Sequence, residues 1–370
     1  MKTGPFSLLL FSLGMRPSPP LRLVGAMSAA PCRPGSLGRA FAALCLLLAS
    51  ARAVDLVLPT DNDALFREGG PAFYQYVERN FEGVISYPWQ GGQYGFVRNP
   101  QQTADGILFK RMHEGADIKP FRRDSRGEPL DLVRAVAAGT VMYVNGRPGA
   151  SNYGRYVVIR HQWDGCPYFS LYAHLNRSDV QAGDTVRQGQ GIGLLGYTGD
   201  GINLARAHLH FEINLFLTDH FDAWHAANFR GEPNPHGVYN GMNLTGIDVG
   251  RFLVQSQRDK SLTVPAFLAG EDVFYRVRVP APGPVELARR YPWMSQGYRP
   301  GQSAEISFLR SGIPVKITGV EHAVQAPVAS WARPVGAPVG LYTKGYLQGA
   351  GSTLRLTAEG LKYLALFGAK

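Results

Sequence analysis

From residue 106 to about 248 the apolar stretches are short and broken by glycine turns: GTVMYV, GRYVVIRH, FSLYAHL, GIGLLGYTG and HLHFEINLF. Runs of that length, rich in Val, Ile, Tyr and Phe, suit strands, and the turns between them predict an antiparallel β domain. The composition agrees: 44 glycines and 26 prolines among 370 residues come to about 19% of the chain, against an ordinary share of about 12%. No internal repeat, low-complexity tract or membrane-length apolar segment interrupts this pattern.

The ends of the chain have a different texture. Arg33 and Arg39 precede the apolar run Phe41–Ala49, and Ala51-Arg52-Ala53 places small residues where a signal peptidase reads. The expectation is a secretory signal over 1–53 that is cleaved after Ala53, with translation starting at Met27. Its apolar run is shorter than the roughly 20 residues that span a bilayer, and Leu44 before Cys45 is too bulky for a lipoprotein cleavage site. Only Cys166 of the three cysteines would survive processing, so the exported chain has no internal disulfide and Cys166 is expected to be buried.

Removing that segment changes the charge balance. The formal net charge of +10 falls to +4, from 32 basic against 28 acidic residues. What remains is lopsided: residues 251–370 hold 15 Lys and Arg against 7 Asp and Glu, whereas 54–250 hold 17 against 21. In the basic third, VFYRVRV alternates with period two, AEISFLRSGIPVKITGV predicts a hairpin, and TAEGLKYLALFG predicts a closing helix with Gly368 near its end. Ahead of the β domain, GPAFYQYVERNF predicts a short helix and YPWQGGQYGFVRNP an extended strand or loop.

Three stretches carry chemistry. In AHLHFEI the strand period puts His208, His210 and Glu212 on one face, with Leu209, Phe211 and Ile213 turned to the core. HEGADI begins like the H-E-x-x-H helix of zinc peptidases, but Asp117 stands where the second histidine belongs. Gly115 and Pro120 also disfavour a helix, so the segment is a turn entering a strand and offers His113 and Asp117. Two histidines and a carboxylate, with a fourth position left for water, match a catalytic zinc site, although loop residues bonded to each other would read the same way. In SLYAHLN, Ser170, Tyr172 and His174 would share a strand face and bring a third imidazole toward the same groove. Gly191, Gly193 and Gly196 spell G-x-G-x-x-G, but with β turns around them and no helix following they do not make a nucleotide site.

HEGADI, GRYVVIRH, LYAHL, AGDTVRQGQGIGLLGYTG and AHLHFEI together, over about 113–216, resemble the lysostaphin-type (LytM-like) zinc metallopeptidases in order and spacing. The resemblance implies a mainly β fold. It predicts a small antiparallel β-sheet peptidase domain with a zinc groove over 106–248 and a flanking amino-terminal segment over 54–105. A smaller mixed α/β, basic accessory domain suited to wall binding would occupy 249–370. It implies one zinc ion held by His113, Asp117 and His210, with His174 and His208 as catalytic histidines and Glu212 either behind a ligand or facing solvent. It further implies hydrolysis of peptide crosslinks in peptidoglycan by an exported enzyme of the periplasm or cell envelope, or one secreted from the cell. Two alternatives remain open: a non-catalytic wall-binding regulator, and a bacteriolytic peptidase acting on glycine-rich peptides.

Two departures stand out. KPFRRDSRGEPLD adds a charged excursion after HEGADI, and Arg206-Ala207 stand where family members usually have Gly-Pro. Arginines 276, 278, 289, 290 and 299, interleaved with Tyr275, Tyr291, Trp293 and Tyr298, would suit an anionic wall polymer. They would equally make a plain solvated surface. Export argues against nucleic acid as a partner, and no stable membrane insertion is expected once the signal is removed.

Overall fold

The computed structural model describes residues 54–368, so the expected signal segment lies outside the described residues. The glycine-punctuated runs form strands. β1 (Gly95–Thr103) and β2 (Gly106–His113) make a hairpin, and β3 (Ala116–Ile118) follows within one turn. β4 (Gly139–Asn145), β5 (Tyr156–Trp163) and β6 (Cys166–Ala173) continue as an antiparallel meander. β7 (Thr185–Val186), β8 (Gly191–Leu194), β9 (Leu209–Phe216) and β10 (Leu244–Gly246) come next. The main sheet has seven strands in the order β7-β4-β5-β6-β9-β10, with β3 also paired to β9. The resulting fold is mainly β with antiparallel sheets, as the sequence predicts.

β9 holds the sheet in register. All eight of its residues are buried, with Leu209, Phe211, Ile213 and Leu215 in the main hydrophobic core. Each such side chain contributes about 1.5–3 kcal/mol on burial. A slip of one residue would turn those four outward and drive His210 and Glu212 into the core, so burial fixes the register that the site needs.

After the helices α1 (Phe221–Asn228) and α2 (Val249–Arg258), a second sheet forms from β11 (Tyr275–Val279), β12 (Ser295–Gln296), β13 (Ala304–Phe308), β14 (Pro314–Gly319) and β15 (Val328–Ala332). Its order is β12-β14-β13-β11-β15, antiparallel except at β12-β14. The expected hairpin is β13-β14. The closing helix is α3 (Ala358–Ala365), capped by Thr357 and followed by Gly368 at φ +77°. No helix among the described residues is long and apolar enough to cross a membrane.

Two expectations change. The helix read from GPAFYQYVERNF shrinks to a single turn at Gly70–Phe73, because Tyr74 bridges Ile118 and the Gln75 N–H donates to the Asp117 carbonyl at 2.7 Å. Pairing with β3 pulls the chain out straight. The tyrosines interleaved with arginine in the basic third are interior: Tyr275, Tyr291 and Tyr298 are all buried. Tyr291 accepts from the Phe216 N–H at 2.8 Å and donates to the Pro167 carbonyl at 2.9 Å, which fastens this region to the main sheet. Arg278 and Arg290 are paired with acids, and Arg276 lies over Trp331.

Candidate functional site

The site is built on β9 and its two neighbours. In the sheet register His210 faces Asp117 of β3 on one side and Ala173 of β6 on the other. The Glu114-Gly115 turn links His113, the last residue of β2, to β3 and brings it onto the same cluster. Gly115 is required there: a Cβ at that position would lie 2.5 Å from the Phe211 carbonyl oxygen and 2.8 Å from Cγ of Glu212. The HEGADI segment is therefore a turn into a strand, as its glycine and proline predict.

His113 Nε2, Asp117 Oδ1 and His210 Nδ1 form a nearly equilateral triangle. The two histidine nitrogens lie 3.0 and 2.9 Å from Oδ1 and 3.1 Å from each other. Among the described residues these three make up the group able to hold a metal ion. Tetrahedral zinc, with bonds of about 2.0–2.1 Å, spaces its ligand atoms about 3.3 Å apart, so the triangle fits one face of that polyhedron after a small opening.

The remaining ring nitrogens are tied down. His113 Nδ1 lies 2.7 Å from the Gln93 carbonyl, to which it donates, and this leaves Nε2 free to bind. His210 Nε2 donates to Glu212 Oε1 at 2.6 Å, the carboxylate–histidine arrangement that orients metal-binding imidazoles. Glu212 is buried and also accepts from Tyr153 Oη and Asn214 Nδ2, both at 2.8 Å, so it does not face solvent.

Electrostatics follow from this packing. Burial alone would raise the Asp117 carboxyl, but His113, His208 and Arg98 together hold it well below the usual carboxylate range. Burial pushes His113 down, against the pull of Asp117. It would push His210 down too, yet hydrogen bonds to Asp117 and Glu212 raise that imidazole to about 9.

His208 and His174 flank the triangle. His208 Nδ1 donates to the Arg206 carbonyl at 2.6 Å, and its Nε2 lies 3.4 Å from Asp117 Oδ1. His174 Nδ1 donates to the Thr198 carbonyl at 2.9 Å, and its ring sits edge-on to His208 with centroids 4.6 Å apart. Burial, reinforced by the neighbouring imidazoles, holds His174 well below an ordinary histidine and therefore neutral.

The route by which His174 arrives differs from the expected one. Ser170 and Tyr172 do not face the groove: Ser170 Oγ bonds His161 Nε2 at 2.7 Å, and Tyr172 packs on Phe211 in the core. Strand parity would send His174 there as well. β6 ends at Ala173, however, and His174 adopts φ +62°, a left-handed conformation uncommon for histidine, which swings the ring to the opposite face. Arg98, Tyr153 and Lys344 carry no local sequence signal that links them to the site. Arg98 Nη2 donates to Asp117 Oδ2 at 2.5 Å, and Lys344 pairs with Glu114 at 3.0 Å. The charged excursion after HEGADI does not line the groove; Arg123 and Glu128 tie it to Leu204 and Tyr197.

A rigid triangle of two histidines and a carboxylate, flanked by two imidazoles in a cleft of about 550 Å³, has the ligand chemistry of a metal-dependent hydrolase. The comparisons narrow this class. The model of peptidase family M23 matches residues 111–222. The peptidoglycan DD-endopeptidase ShyC of Vibrio cholerae is 46% identical over 157 residues, 40% of this chain and 34% of that protein. The lipoprotein NlpD of Yersinia enterocolitica is 36% identical over 89 residues, 24% of this chain and 79% of that protein. Among solved structures, the catalytic domain of lysostaphin from Staphylococcus simulans aligns at 28% identity over 33% of this chain and 75% of that one, with a TM-score of 0.23. The chain belongs to peptidase family M23. It spans less than half the length of the first curated relatives it matches.

Proposed function

We propose that this chain is an exported zinc endopeptidase that hydrolyses peptide crosslinks of bacterial peptidoglycan, with His113, Asp117 and His210 holding the ion and His174 and His208 as catalytic histidines. The observation that carries this reading is the triangle of ligand atoms with edges of 2.9, 3.0 and 3.1 Å. Relatives named as peptidoglycan DD-endopeptidases support the substrate, and relatives named as lipoproteins support an envelope location.

When bound, zinc would polarise the scissile carbonyl and lower the pKa of water held beside it. The protein's own groups do the rest. With Nδ1–H committed to the Thr198 carbonyl, neutral His174 keeps its Nε2 lone pair available to accept a proton. His208, anchored through Nδ1–H on the Arg206 carbonyl, presents Nε2 beside Asp117; as an imidazolium, its Nε2–H can donate to a developing oxyanion or to the leaving amine. The left-handed backbone at His174 stores strain that the Tyr153 carbonyl, accepting from the His174 N–H at 2.9 Å, helps to offset.

The test is digestion of isolated peptidoglycan with the exported form of the protein, followed by mass spectrometry of the released muropeptides. New amino termini are expected, and they should vanish with chelator or with His210→Ala. His208→Ala is expected to keep zinc and lose cleavage. A fully zinc-loaded protein that binds peptidoglycan and cuts nothing would replace this reading with that of a wall-binding regulator.

A further inference from the structure

We propose that the groove reads a free carboxylate on its substrate through Arg206 and Arg111, so that peptides carrying an ionised carboxylate near the cleaved bond are preferred to amidated or all-glycine ones. The inference rests on the endopeptidase reading and specifies its substrate class.

Arg206 ends the short turn Leu204–Arg206 and lines the same cleft as His208 and His210. Its backbone is fixed on both sides: the N–H donates to Asn203 Oδ1 at 3.1 Å, and the carbonyl accepts from His208 at 2.6 Å. The backbone that carries the guanidinium is therefore tied to the imidazole that flanks the triangle. One of its donors, on Nη1, reaches the Gly201 carbonyl at 3.1 Å, whereas the buried Nε–H has no acceptor. No acid pairs with Arg206 among the described residues.

Arg111 lies on β2, on another wall of the cleft, and the hairpin register places it directly opposite Arg98. Like charges facing each other across two strands cost stability. Arg98 answers that cost by binding Asp117, but Arg111 is exposed and its side chain has neither an ion pair nor a hydrogen bond among the described residues. Net charge does not set the preference, because Glu78 and Asp200 line the cleft as well. What sets it is two guanidinium groups lining the cleft of the candidate reaction centre, which carry donors with no acceptor. A planar carboxylate is the group on a peptide that matches such a fork.

The experiment uses two synthetic crosslinked peptides that differ only in a carboxylate or a carboxamide next to the scissile bond. Binding is followed by fluorescence anisotropy on the zinc-loaded protein, and cleavage by kcat/KM. Amidation is expected to weaken both by about tenfold or more, the worth of a charge-assisted hydrogen bond. Arg206→Gln and Arg111→Gln should each shrink the acid-to-amide ratio toward one, and Arg206→Lys should keep part of it. Equal binding of acid and amide overturns the inference, as does a loss in both variants that leaves the ratio intact. If neither peptide is cut, the endopeptidase reading fails, while the anisotropy ratio still decides the carboxylate preference.

Discussion

Glu212→Gln separates the work of Glu212 from its packing. The carboxylate accepts from three buried donors: His210 Nε2, Tyr153 Oη and Asn214 Nδ2. Glutamine keeps an oxygen toward the first two. Its new NH2 would face the Asn214 amide nitrogen, but Asn214 Oδ1 is buried without a partner, so rotating that amide restores a donor–acceptor pair. The expected loss of stability is therefore only about 1–2 kcal/mol. Zinc binding should change in a more telling way. His113 is lowered by burial and Asp117 is held far down, so of the three candidate ligands His210, raised to about 9, is the one that a proton blocks at neutral pH. Between pH 7 and 9 the apparent zinc affinity of the parent protein should rise about tenfold per pH unit, with close to one proton released per ion at pH 7. Without the Glu212 charge, His210 falls toward its ordinary value and that slope flattens. Extrapolated to the proton-free limit above pH 9, the variant should bind about 10- to 100-fold more weakly because its imidazole has lost the carboxylate behind it. Chelator competition across pH, corrected for zinc hydrolysis, measures both quantities. A parent affinity that is flat over this range, or a variant curve parallel to it, refutes the reasoning.

Three further outcomes follow from the same geometry. Arg98→Ala leaves Asp117 Oδ2 without its partner; because Arg98 is about a quarter exposed, the cost should fall near the low end for a broken buried pair, about 2–3 kcal/mol. Added zinc should narrow the resulting difference in melting temperature, since the ion neutralises the same carboxylate, and an unchanged gap would speak against this. His161 is pushed down to about 4 by burial, is held between the Ala138 carbonyl and Ser170, and is neutral in the fold. Its contribution is complete above about pH 6.5 and is lost as pH falls through 4, a span worth about 3 kcal/mol. Thermal melts should show this acid limb, and His161→Gln should flatten it. Gly115→Ala should push β3 off β9, lowering both the melting temperature and zinc affinity; a variant with parental zinc affinity would show that the turn can yield.

What the sequence disclosed, and what it hid, follows the range of the interactions. That His113, Asp117 and the His208–His210 strand could meet was legible from local patterns, an alternating strand and a turn that Gly115 makes possible, whereas the choice of His210 over His208 came from the family resemblance. Parity arguments hold only while a strand lasts. At His174 the left-handed residue just past β6 reverses the face, and no composition signal marks it, because histidine can occupy that conformation at a modest cost. Arg98 and Tyr153 were out of reach for another reason. Each acts across a long sequence separation, Arg98 on Asp117 and Tyr153 on Glu212, and nothing in their own neighbourhoods distinguishes them from surface or core residues. The same holds for the basic third, where alternation predicts a strand correctly but cannot say which face meets the main sheet. The tyrosines went inward, Arg278 and Arg290 found acids, Arg276 found a tryptophan face, and Arg289 and Arg299 stayed exposed. The groups that orient the site were thus hidden while the groups that compose it were visible. Substitutions at Arg98 and Tyr153 consequently test the three-dimensional arrangement, where substitutions at the five predicted histidine and aspartate positions, or at Glu212 on the same strand face, test the motif.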